Sequence, residues 1–402
     1  MNRLHAKRPD TISACRDEWK FPSFMPSMFP IALALSLTGS GCEPSSQGTG
    51  VPDPACSSEG CTQEAVVITV SDDYNQGALA TIDPASFKVR DLISAQSGDP
   101  IVRVLDNEAY VLNRSNTNSV RIYPRDSLST PRLEFSVGEN SNPHDAALCG
   151  DLLYVSLYEK NYLPAYDPET GLERARISLS AWDDGDGSPE ASSLVNLGTH
   201  LFVGLEQMLR YEGWSSTAGT ILEIDCTTQE IVNAWQAGPA VQIFPFPNQD
   251  DTLLLRTGVY FDDNYEVLLD GRLSLFDTKT GEITETFTTE EDLGSNLVAA
   301  AFNAAGDGIV ATADADWYYS IYCLTHGHAL RWAFTTPSAV FDAEANGDGK
   351  IWLAMRPGWA DDDADGAIHI MDPGTCTLVT SETGIDLELP PYDIAFFAPE
   401  GT

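Results

Sequence analysis

A unit of about 40 to 55 residues repeats seven times from residue 65 onward, and this repeat restricts the fold more than any other feature of the chain. Each unit holds four strand-like runs, of which the second is the clearest. β-branched and aromatic residues dominate that run, as a pleated, buried surface prefers. The seven second-strand segments are AVVITVS (65–71), EAYVLNR (108–114), LLYVSLY (152–158), HLFVGLE (200–206), TLLLRTG (252–258), GIVATAD (308–314) and KIWLAMR (350–356). A repeat of this length predicts a β-propeller with one four-stranded blade per unit.

The third run of each unit ends in a similar turn. Asp, Pro and Gly recur there, because a tight hairpin needs a side chain that caps its own backbone and a residue that tolerates positive φ. The turn segments are ALATIDPAS, VRIYPRDS, LPAYDPETG, ILEIDCTTQ, LSLFDTKTG, YSIYCLTHG and IHIMDPGTC. In these segments the chain resembles the YVTN-type propeller-repeat family, and AYVLNRSNTNSVRIY (109–123) is the nearest match. The resemblance covers residues 65–399 as a repeat pattern and implies the fold, with little bearing on function.

The two ends of the repeat region complement each other. The first unit lacks an innermost strand, and PYDIAFF (391–397) is a strand without a unit of its own. Pairing of these segments would complete one blade and remove unpaired strand edges. We therefore predict an all-β, seven-bladed propeller over residues 65–399. A β-sandwich or two smaller barrels would also contain many short strands, but neither predicts the same turn at the same place seven times.

Residues 1–42 have the pattern of an export signal. Five basic side chains precede the apolar stretch MFPIALALSL (28–37), which is too short to span a bilayer. The stretch runs into LTGSGC, which resembles a bacterial lipoprotein signal and implies that Cys42 is lipidated. Plain secretion after cleavage near Gly41 is the alternative. Residues 43–64 then form a flexible tether, and we expect an exported propeller held at an outer membrane or cell surface only by its lipid.

The cysteines fit an oxidising compartment. Cys56 and Cys61 are close enough in the sequence to close a small disulfide loop in the tether. Four cysteines of the propeller can pair in three ways, which the sequence does not decide. These are Cys149, Cys226, Cys323 and Cys376. None of them has the CxxC or Cys/His spacing of a zinc site.

The formal charge of −38 limits the partners of this chain. Nucleic acid is excluded as the main partner, because its binding depends on Lys and Arg that neutralise phosphates. Metal cations, cationic ligands, neutral sugars and proteins with basic patches remain. We expect a monomer that binds a protein, a peptide or a carbohydrate and requires no cofactor.

The loops of a propeller separate onto two faces. Consecutive strands of a blade are antiparallel, so the loops between second and third strands share one face with the loops between blades. We name this the long-loop face, since it carries every long insertion, and name the opposite side, with the repeated turns, the hairpin face. Long loops on a rigid scaffold commonly carry function. The hairpin face also holds His326 and His328, a surface pair that would bind a metal only weakly.

Aromatic rings beside carboxylates on the long-loop face suit sugar or cation recognition. The predicted ligand-binding residues are His144, Asp145, Trp182, Tyr211, Trp214, Tyr260, Trp317 and Trp359. The predicted metal ligands, for calcium, are Asp183, Asp184, Asp186 and Glu190. The alternative is structural: the rings pack the loops, the carboxylates form turns, and His144 plugs the channel.

The sequence is compatible with two functions. The first is the binding of a ligand without catalysis. The second is a calcium-assisted hydrolase or lactonase whose metal is held at the mouth of the central channel. Its ligands would be Asp145, Glu190, Asn296, Asp342 and Asp393. The two differ in one geometric feature, because calcium requires carboxylates that converge within about 3 Å of a common point. No GxSxG elbow or haem-attachment CxxCH is present to favour other chemistry.

Overall fold

The computed structural model describes residues 64–209, 215–216, 218–260, 267–325, 330–361 and 366–398. Over these ranges the chain forms seven β-sheets, six of four strands and one of five. Each sheet is one blade, and the predicted all-β, seven-bladed propeller is confirmed. Among the described residues, helix is limited to α1 (Glu290–Leu293) and one 3-10 turn (Ser180–Trp182). No helix in this part of the chain has the length and apolar character needed to cross a membrane.

The strands follow the chain in order, from the innermost to the outermost strand of each blade. Blade 1 contains β1 (Ala65–Val70), β2 (Gly77–Ile82), β3 (Val89–Gln96) and, as its innermost strand, the last strand β29 (Pro391–Phe396). Blade 2 contains β4 (Pro100–Leu105), β5 (Glu108–Asn113), β6 (Ser119–Pro124) and β7 (Leu133–Ser136), and blade 3 contains β8 (Pro143–Cys149), β9 (Leu152–Leu157), β10 (Tyr162–Tyr166) and β11 (Glu173–Ser178).

The remaining four blades follow the same order. Blade 4 contains β12 (Ala191–Leu197), β13 (His200–Leu205), β14 (Gly219–Asp225) and β15 (Ile231–Gly238), and blade 5 contains β16 (Gln242–Pro245), β17 (Thr252–Thr257), β18 (Arg272–Asp277) and β19 (Glu282–Thr289). Blade 6 contains β20 (Asn296–Phe302), β21 (Gly308–Ala313), β22 (Tyr319–Leu324) and β23 (Leu330–Thr336). Blade 7 contains β24 (Ala339–Ala345), β25 (Ile351–Arg356), β26 (Ala367–Asp372) and the short β27 (Thr377–Leu378) and β28 (Ile385–Asp386).

The core lies between adjacent blades. Strands β1 and β2 are buried along their whole length because neighbouring blades cover both of their faces. The outermost strand β3 instead alternates between half-buried and exposed residues over its first half. The predicted capping turns are present on the hairpin face, where Asp225 Oδ1 accepts hydrogen bonds from the amides of Thr227 and Thr228, each 2.8 Å away.

The ends of the chain close the ring as predicted. Strand β29 pairs antiparallel with β1, and Ile394 lies opposite Val67. The Phe397 amide donates to the carbonyl of Glu64 at 3.0 Å, just beyond the paired strands. Blade 1 is therefore built from both ends of the chain, and no innermost edge is left open.

Bulges on the innermost strands turn side chains toward the axis of the ring. On β24 and β29 the bulge leaves Phe341 and Tyr392 without a register partner. These two residues come from neighbouring blades, yet their ring centroids are 5.1 Å apart. The same irregularity on three other innermost strands displaces His144, Ser192 and Val298. A ring of bulged side chains therefore lines the channel near its mouth.

Side chains beside four of these bulges, together with Glu290 of α1, join five of the blades to the next blade. A carboxylate or hydroxyl oxygen accepts a hydrogen bond from a backbone amide on the innermost strand of the following blade. Five side chains do so: Asp145 from Leu194 (2.7 Å), Ser193 from Ile243 (3.0 Å), Glu290 from Leu297 (2.7 Å), Asp342 from Ile394 (2.9 Å) and Asp393 from Val102 (2.6 Å). We call this set the inter-blade latches. Each one satisfies an amide that has no strand partner across the gap between sheets.

Two disulfides join neighbouring blades near the hairpin face. Cys149 pairs with Cys226 across blades 3 and 4, and Cys323 pairs with Cys376 across blades 6 and 7. This decides among the three pairings that the sequence left open. The predicted Cys56–Cys61 disulfide and the lipidated Cys42 lie outside the described residues.

Removal of the Cys323–Cys376 disulfide should destabilise the propeller. The bond closes a loop with a sequence separation of 53 residues, so the double variant Cys323→Ser, Cys376→Ser is expected to lose about 4 kcal/mol of unfolding free energy. Denaturant unfolding with and without a reducing agent measures the effect. The loss of unfolding free energy on reduction should be larger for the wild type than for this variant, because reduction breaks one more disulfide in the wild type. Equal unfolding midpoints for the oxidised and reduced wild type would contradict the prediction.

Candidate ligand-binding face

Asp145, predicted to bind a ligand, forms hydrogen bonds within the protein. Its carboxylate accepts from Arg103 Nε at 2.7 Å, from the Leu194 amide at 2.7 Å and from the Ala146 amide at 2.9 Å. The side chain is only 10% exposed. Asp145 therefore orders the channel wall instead of presenting an open carboxylate.

Arg103 is the centre of this channel cluster. Besides Asp145, its guanidinium contacts Asp393 at 3.3 Å. Burial raises the pKa of Asp393, and the positive charge of Arg103 opposes that rise. Burial likewise raises the pKa of Asp342, and the positive charge of Arg103 again opposes that rise. The carboxylates thus converge on a guanidinium and on backbone amides, which is not the geometry of a calcium site.

The other ligands of the hydrolase alternative are also engaged. Glu190 is fully buried and accepts from the Met208 amide at 2.9 Å. The Asn296 side chain donates to the Leu268 carbonyl at 2.6 Å. Among the described residues, the four carboxylates proposed for that metal, Asp145, Glu190, Asp342 and Asp393, do not come together as a possible metal-binding group.

His144 is stacked against Tyr158, with ring centroids 4.2 Å apart and planes 19° apart. Burial, with the nearby positive charges of Arg114 and Arg103, lowers the pKa of His144 to about 3. The imidazole is therefore neutral at physiological pH. This packing agrees with the structural alternative for His144, in which the ring fills the channel mouth.

The Asp-rich loop after β11 brings together three of the four predicted calcium ligands. One ligand atom from each of Asp183, Asp184 and Asp186 lies within 4.8 Å of the others, and Glu190 is not in the group. Asp183 Oδ1 also accepts from the amides of Gly185 (2.8 Å) and Gly187 (3.0 Å), which shapes the loop. Burial, followed by the neighbouring charge of Asp186, raises the pKa of Asp184. Calcium binding by this loop stays a prediction.

Trp182 lies beside that loop, next to a shallow groove of about 250 Å³ between blades 3 and 4. Gln207 and Thr220 also line it, and the Thr220 hydroxyl donates to the Gln207 side chain at 2.6 Å. Trp182 packs partly against the core between these blades. Tyr260 is exposed on the long-loop face, whereas Tyr211 and Trp214 lie outside the described residues, as do His326 and His328.

Trp317 and Trp359 are brought together by neighbouring loops of blades 6 and 7. Their ring centroids are 6.3 Å apart and their planes are tilted by 46°. Trp317 rests partly on the core between the two blades. Trp359 is 58% exposed, and the adjacent Tyr318 is 43% exposed. We call Trp317, Tyr318 and Trp359 the aromatic platform.

The turn that carries Trp317 holds it in a costly conformation. Its φ of 62° lies in the left-handed region, which bulky residues rarely adopt. Asp314 fixes the turn, because its Oδ1 accepts from the amides of Asp316 (3.0 Å) and Tyr318 (2.9 Å). Its backbone carbonyl also accepts from the Trp317 amide at 3.0 Å. Backbone strain of this kind is concentrated at functional sites.

The position of Trp359 depends on a glycine beside it. Gly358 pairs with Asp361 in a tight bridge, with Trp359 at the tip. A Cβ atom on Gly358 would lie 2.3 Å from the carbonyl oxygen of Pro337, so only glycine allows this approach. The backbone therefore delivers Trp359 to a defined place above blade 7.

An aromatic and arginine cluster at the channel mouth was not anticipated from the sequence. Arg356 is 2% exposed and lies over the rings of Tyr74 (4.8 Å), Phe341 (5.1 Å) and Tyr392 (5.5 Å). Tyr392 also donates to Asp99 at 3.0 Å. A usable signal is the aromatic–Asp pair at the start of three innermost strands, in PHDAA, VFDAE and PYDIA. The aromatic residue of each pair is the bulged one, and the Asp is the latch.

The latch Glu290 should make stability fall as pH rises. Glu290 accepts from the amides of Gly271 (2.8 Å) and Leu297 (2.7 Å), and burial raises its pKa to about 7. The folded state thus binds a proton more tightly than the unfolded state, whose carboxyl has a pKa of about 4.3. The contribution is full below about pH 4.3 and is lost as pH rises to about 7, by up to about 3 kcal/mol.

Glu290→Gln should remove this part of the pH dependence. Melting temperatures of wild type and variant between pH 4 and 8 measure it, and the difference between them should change across that interval. Glu291→Gln, an exposed neighbour in the same turn, is the control and should follow the wild-type profile. Parallel profiles for Glu290→Gln and wild type would refute the assignment.

Comparison with known proteins gives fold relatives only. No protein-family model and no curated protein matches the chain. A candidate 6-phosphogluconolactonase from Bacteroides fragilis is similar in structure, with a TM-score of 0.60 and 11% identity over 86% of this chain and 100% of that one. The hydrazine synthase of Kuenenia stuttgartiensis has a TM-score of 0.53 and 13% identity, over 79% of this chain and 98% of that one.

A third similar structure is the dihydro-heme d1 dehydrogenase NirN, with a TM-score of 0.51 and 14% identity over 81% of this chain and 64% of that one. At such identities the likeness extends to the fold and not to an activity. The chain is a seven-bladed β-propeller whose structural neighbours are propellers of diverse activity.

Proposed function

We propose that this chain is an exported, lipid-anchored propeller of the YVTN repeat type that binds a carbohydrate, peptide or protein ligand on its long-loop face. The observation that carries the proposal is the aromatic platform. Trp359 is 58% exposed, although a strictly glycine-dependent turn places it against Trp317. Exposed aromatic groups of this kind are typical of contact surfaces, where a partner covers them.

The arrangement of the carboxylates supports a binder over the calcium-assisted hydrolase. Asp145, Asp342 and Asp393 are latches, and Arg103 occupies the space between Asp145 and Asp393. A metal that polarises a substrate carbonyl needs open carboxylate oxygens at one point.

The two inter-blade disulfides support export. Such bonds form and persist in oxidising compartments and are rare in the reducing cytosol. The pairing of Cys149 with Cys226 and of Cys323 with Cys376 therefore agrees with the signal-like residues 1–42.

Ligand binding is tested with the full-length protein on arrays of glycans and peptides, followed by titration of each ligand that binds. Trp359→Ala should weaken binding at least fivefold. The matched control is Trp332→Ala, because Trp332 is also exposed, at 59%, but lies on the outermost strand of blade 6, in β23, and not on an insertion of the long-loop face. Binding that survives Trp359→Ala unchanged would remove the platform from the site.

Anchoring is tested by expression of the full chain in a bacterium supplied with a labelled fatty acid. The label should enter the wild type and not Cys42→Ser, and only the wild type should remain in the membrane fraction. Label retained by Cys42→Ser, or wild type recovered wholly without label, would refute the lipid anchor.

A further inference from the structure

We infer that the aromatic platform binds a positively charged organic group, in the form of a lysine or arginine side chain on a partner polypeptide. The inference rests on the proposed function and specifies its ligand. It follows from the electrostatics of the two blades that carry the platform. Aromatic faces attract ammonium and guanidinium groups through their ring quadrupoles, with tryptophan the most effective.

Blades 6 and 7 are strongly acidic. Residues 296–386 contain 13 Asp or Glu and only three Lys or Arg. Two of the platform's own turns contribute, because Asp316 directly precedes Trp317 and Asp361 closes the bridge around Trp359. Both carboxylate-bearing residues are exposed. Negative potential from such a surface raises the local concentration of cations.

The three basic residues of these blades do not neutralise the platform. Lys350 pairs with Asp372 at 2.5 Å near the hairpin face. Arg331 donates to the Thr375 carbonyl, also near the hairpin face. Arg356 is only 2% exposed and lies over the rings of Tyr74, Phe341 and Tyr392. The two blades therefore keep an excess of acidic over basic residues, which favours a ligand that brings a cation.

A neutral sugar is the less suitable occupant. Stacking on tryptophan would suit its apolar face, and its hydroxyl groups can donate to carboxylates, but a neutral sugar has no net charge to be attracted by the excess of negative charge. A cation is attracted both by the faces of the aromatic rings and by the carboxylates around them. A basic segment also complements the formal charge of −38 carried by the whole chain.

The test uses the full-length protein and a pair of ligands that differ in charge alone. Choline and its uncharged isostere 3,3-dimethyl-1-butanol are titrated by calorimetry, followed by a glycine-spaced lysine peptide and the same peptide with acetylated lysines. Choline and the lysine peptide should bind at least fivefold tighter than their neutral counterparts. Their affinity should fall with rising salt, because the surrounding carboxylates are exposed and become screened.

Four variants locate the cation. Trp359→Ala should weaken choline binding about fivefold, and Trp359→Phe should retain part of the affinity because its ring keeps a quadrupole. Asp316→Asn should weaken the charged ligands and leave the neutral ones unchanged. The control Asp348→Asn removes an exposed carboxylate on the turn that precedes β25, near the hairpin face, and should change neither.

The outcomes separate this inference from the proposed function. Equal affinity for choline and its isostere, or a glycan that binds through Trp359 when the lysine peptide does not, overturns the cationic ligand and leaves the platform as a binding site. Binding of every ligand that is insensitive to Trp359→Ala overturns both.

Discussion

A chain that ends after Pro390 is expected to lose cooperative folding. The truncation removes β29 and exposes the edge of β1 to solvent. It also deprives the Val102 amide of Asp393 and deprives Asp342 of the Ile394 amide, so two inter-blade latches are lost together. An unpaired inner edge promotes aggregation, and we expect insoluble or molten protein with no thermal transition.

The control for this experiment is a chain that ends after Ala398, which keeps β29 complete and should melt as the full chain does. A synthetic peptide of residues 391–398 added during refolding should restore a transition to the truncated chain, because it supplies the missing strand. If the truncated chain alone melted within a few degrees of wild type, closure would not be what stabilises the ring.

Replacement of Arg103 by methionine is expected to cost about 3 kcal/mol of unfolding free energy. The change leaves Asp145 and Asp393, which are 10% and 11% exposed, without the guanidinium between them. The expected loss is small for a broken buried ion pair, because the Arg103 side chain is 35% exposed and water screens its charge. Denaturant unfolding at pH 8 measures the loss.

The cost should shrink at low pH. Burial already raises the pKa of Asp393 to about 7, and without Arg103 that pKa rises further, so the folded variant gains stability as the carboxyl takes up a proton while the pH falls from 8 through neutrality. Adding Asp393→Asn to Arg103→Met should restore part of the loss at pH 8. Arg174→Met, which removes an exposed ion pair with Asp167, is the control and should change stability by less than about 1 kcal/mol. An equal effect of both arginine variants would contradict the role of the channel cluster.

The architecture was predictable because the same pattern of strands and turns occurs in seven successive units of the sequence. The predicted segment EAYVLNR matches β5 (Glu108–Asn113) to within one residue, and the missing inner strand of the first unit predicts that PYDIAFF (391–397) pairs with it, as β29 does with β1. The disulfide pairing was within reach of the same reasoning. Cys149 and Cys226 belong to adjacent units and lie near the same face, as do Cys323 and Cys376.

The site was predictable only in part. Trp317 and Trp359 were identified one by one as ligand residues, but their contact depends on how two loops of neighbouring blades meet. Asp145 is predicted as a ligand residue from its place at the channel mouth, but its carboxylate accepts hydrogen bonds from Arg103 and from two backbone amides. Arg103 sits in an ordinary strand sequence, PIVRVL, and nothing local shows that carboxylates from two other blades surround it.

The pairing of β29 with β1 has one more consequence. The Phe397 amide lies 3.0 Å from the Glu64 carbonyl, so the described ends of the propeller are neighbours in space. A short linker can therefore join them, and a new start can be opened at any hairpin turn without changing a single strand contact. Synthesis could then begin at a different blade while the arrangement of the blades around the axis stays the same. Circular permutants of this chain should therefore form the same ring.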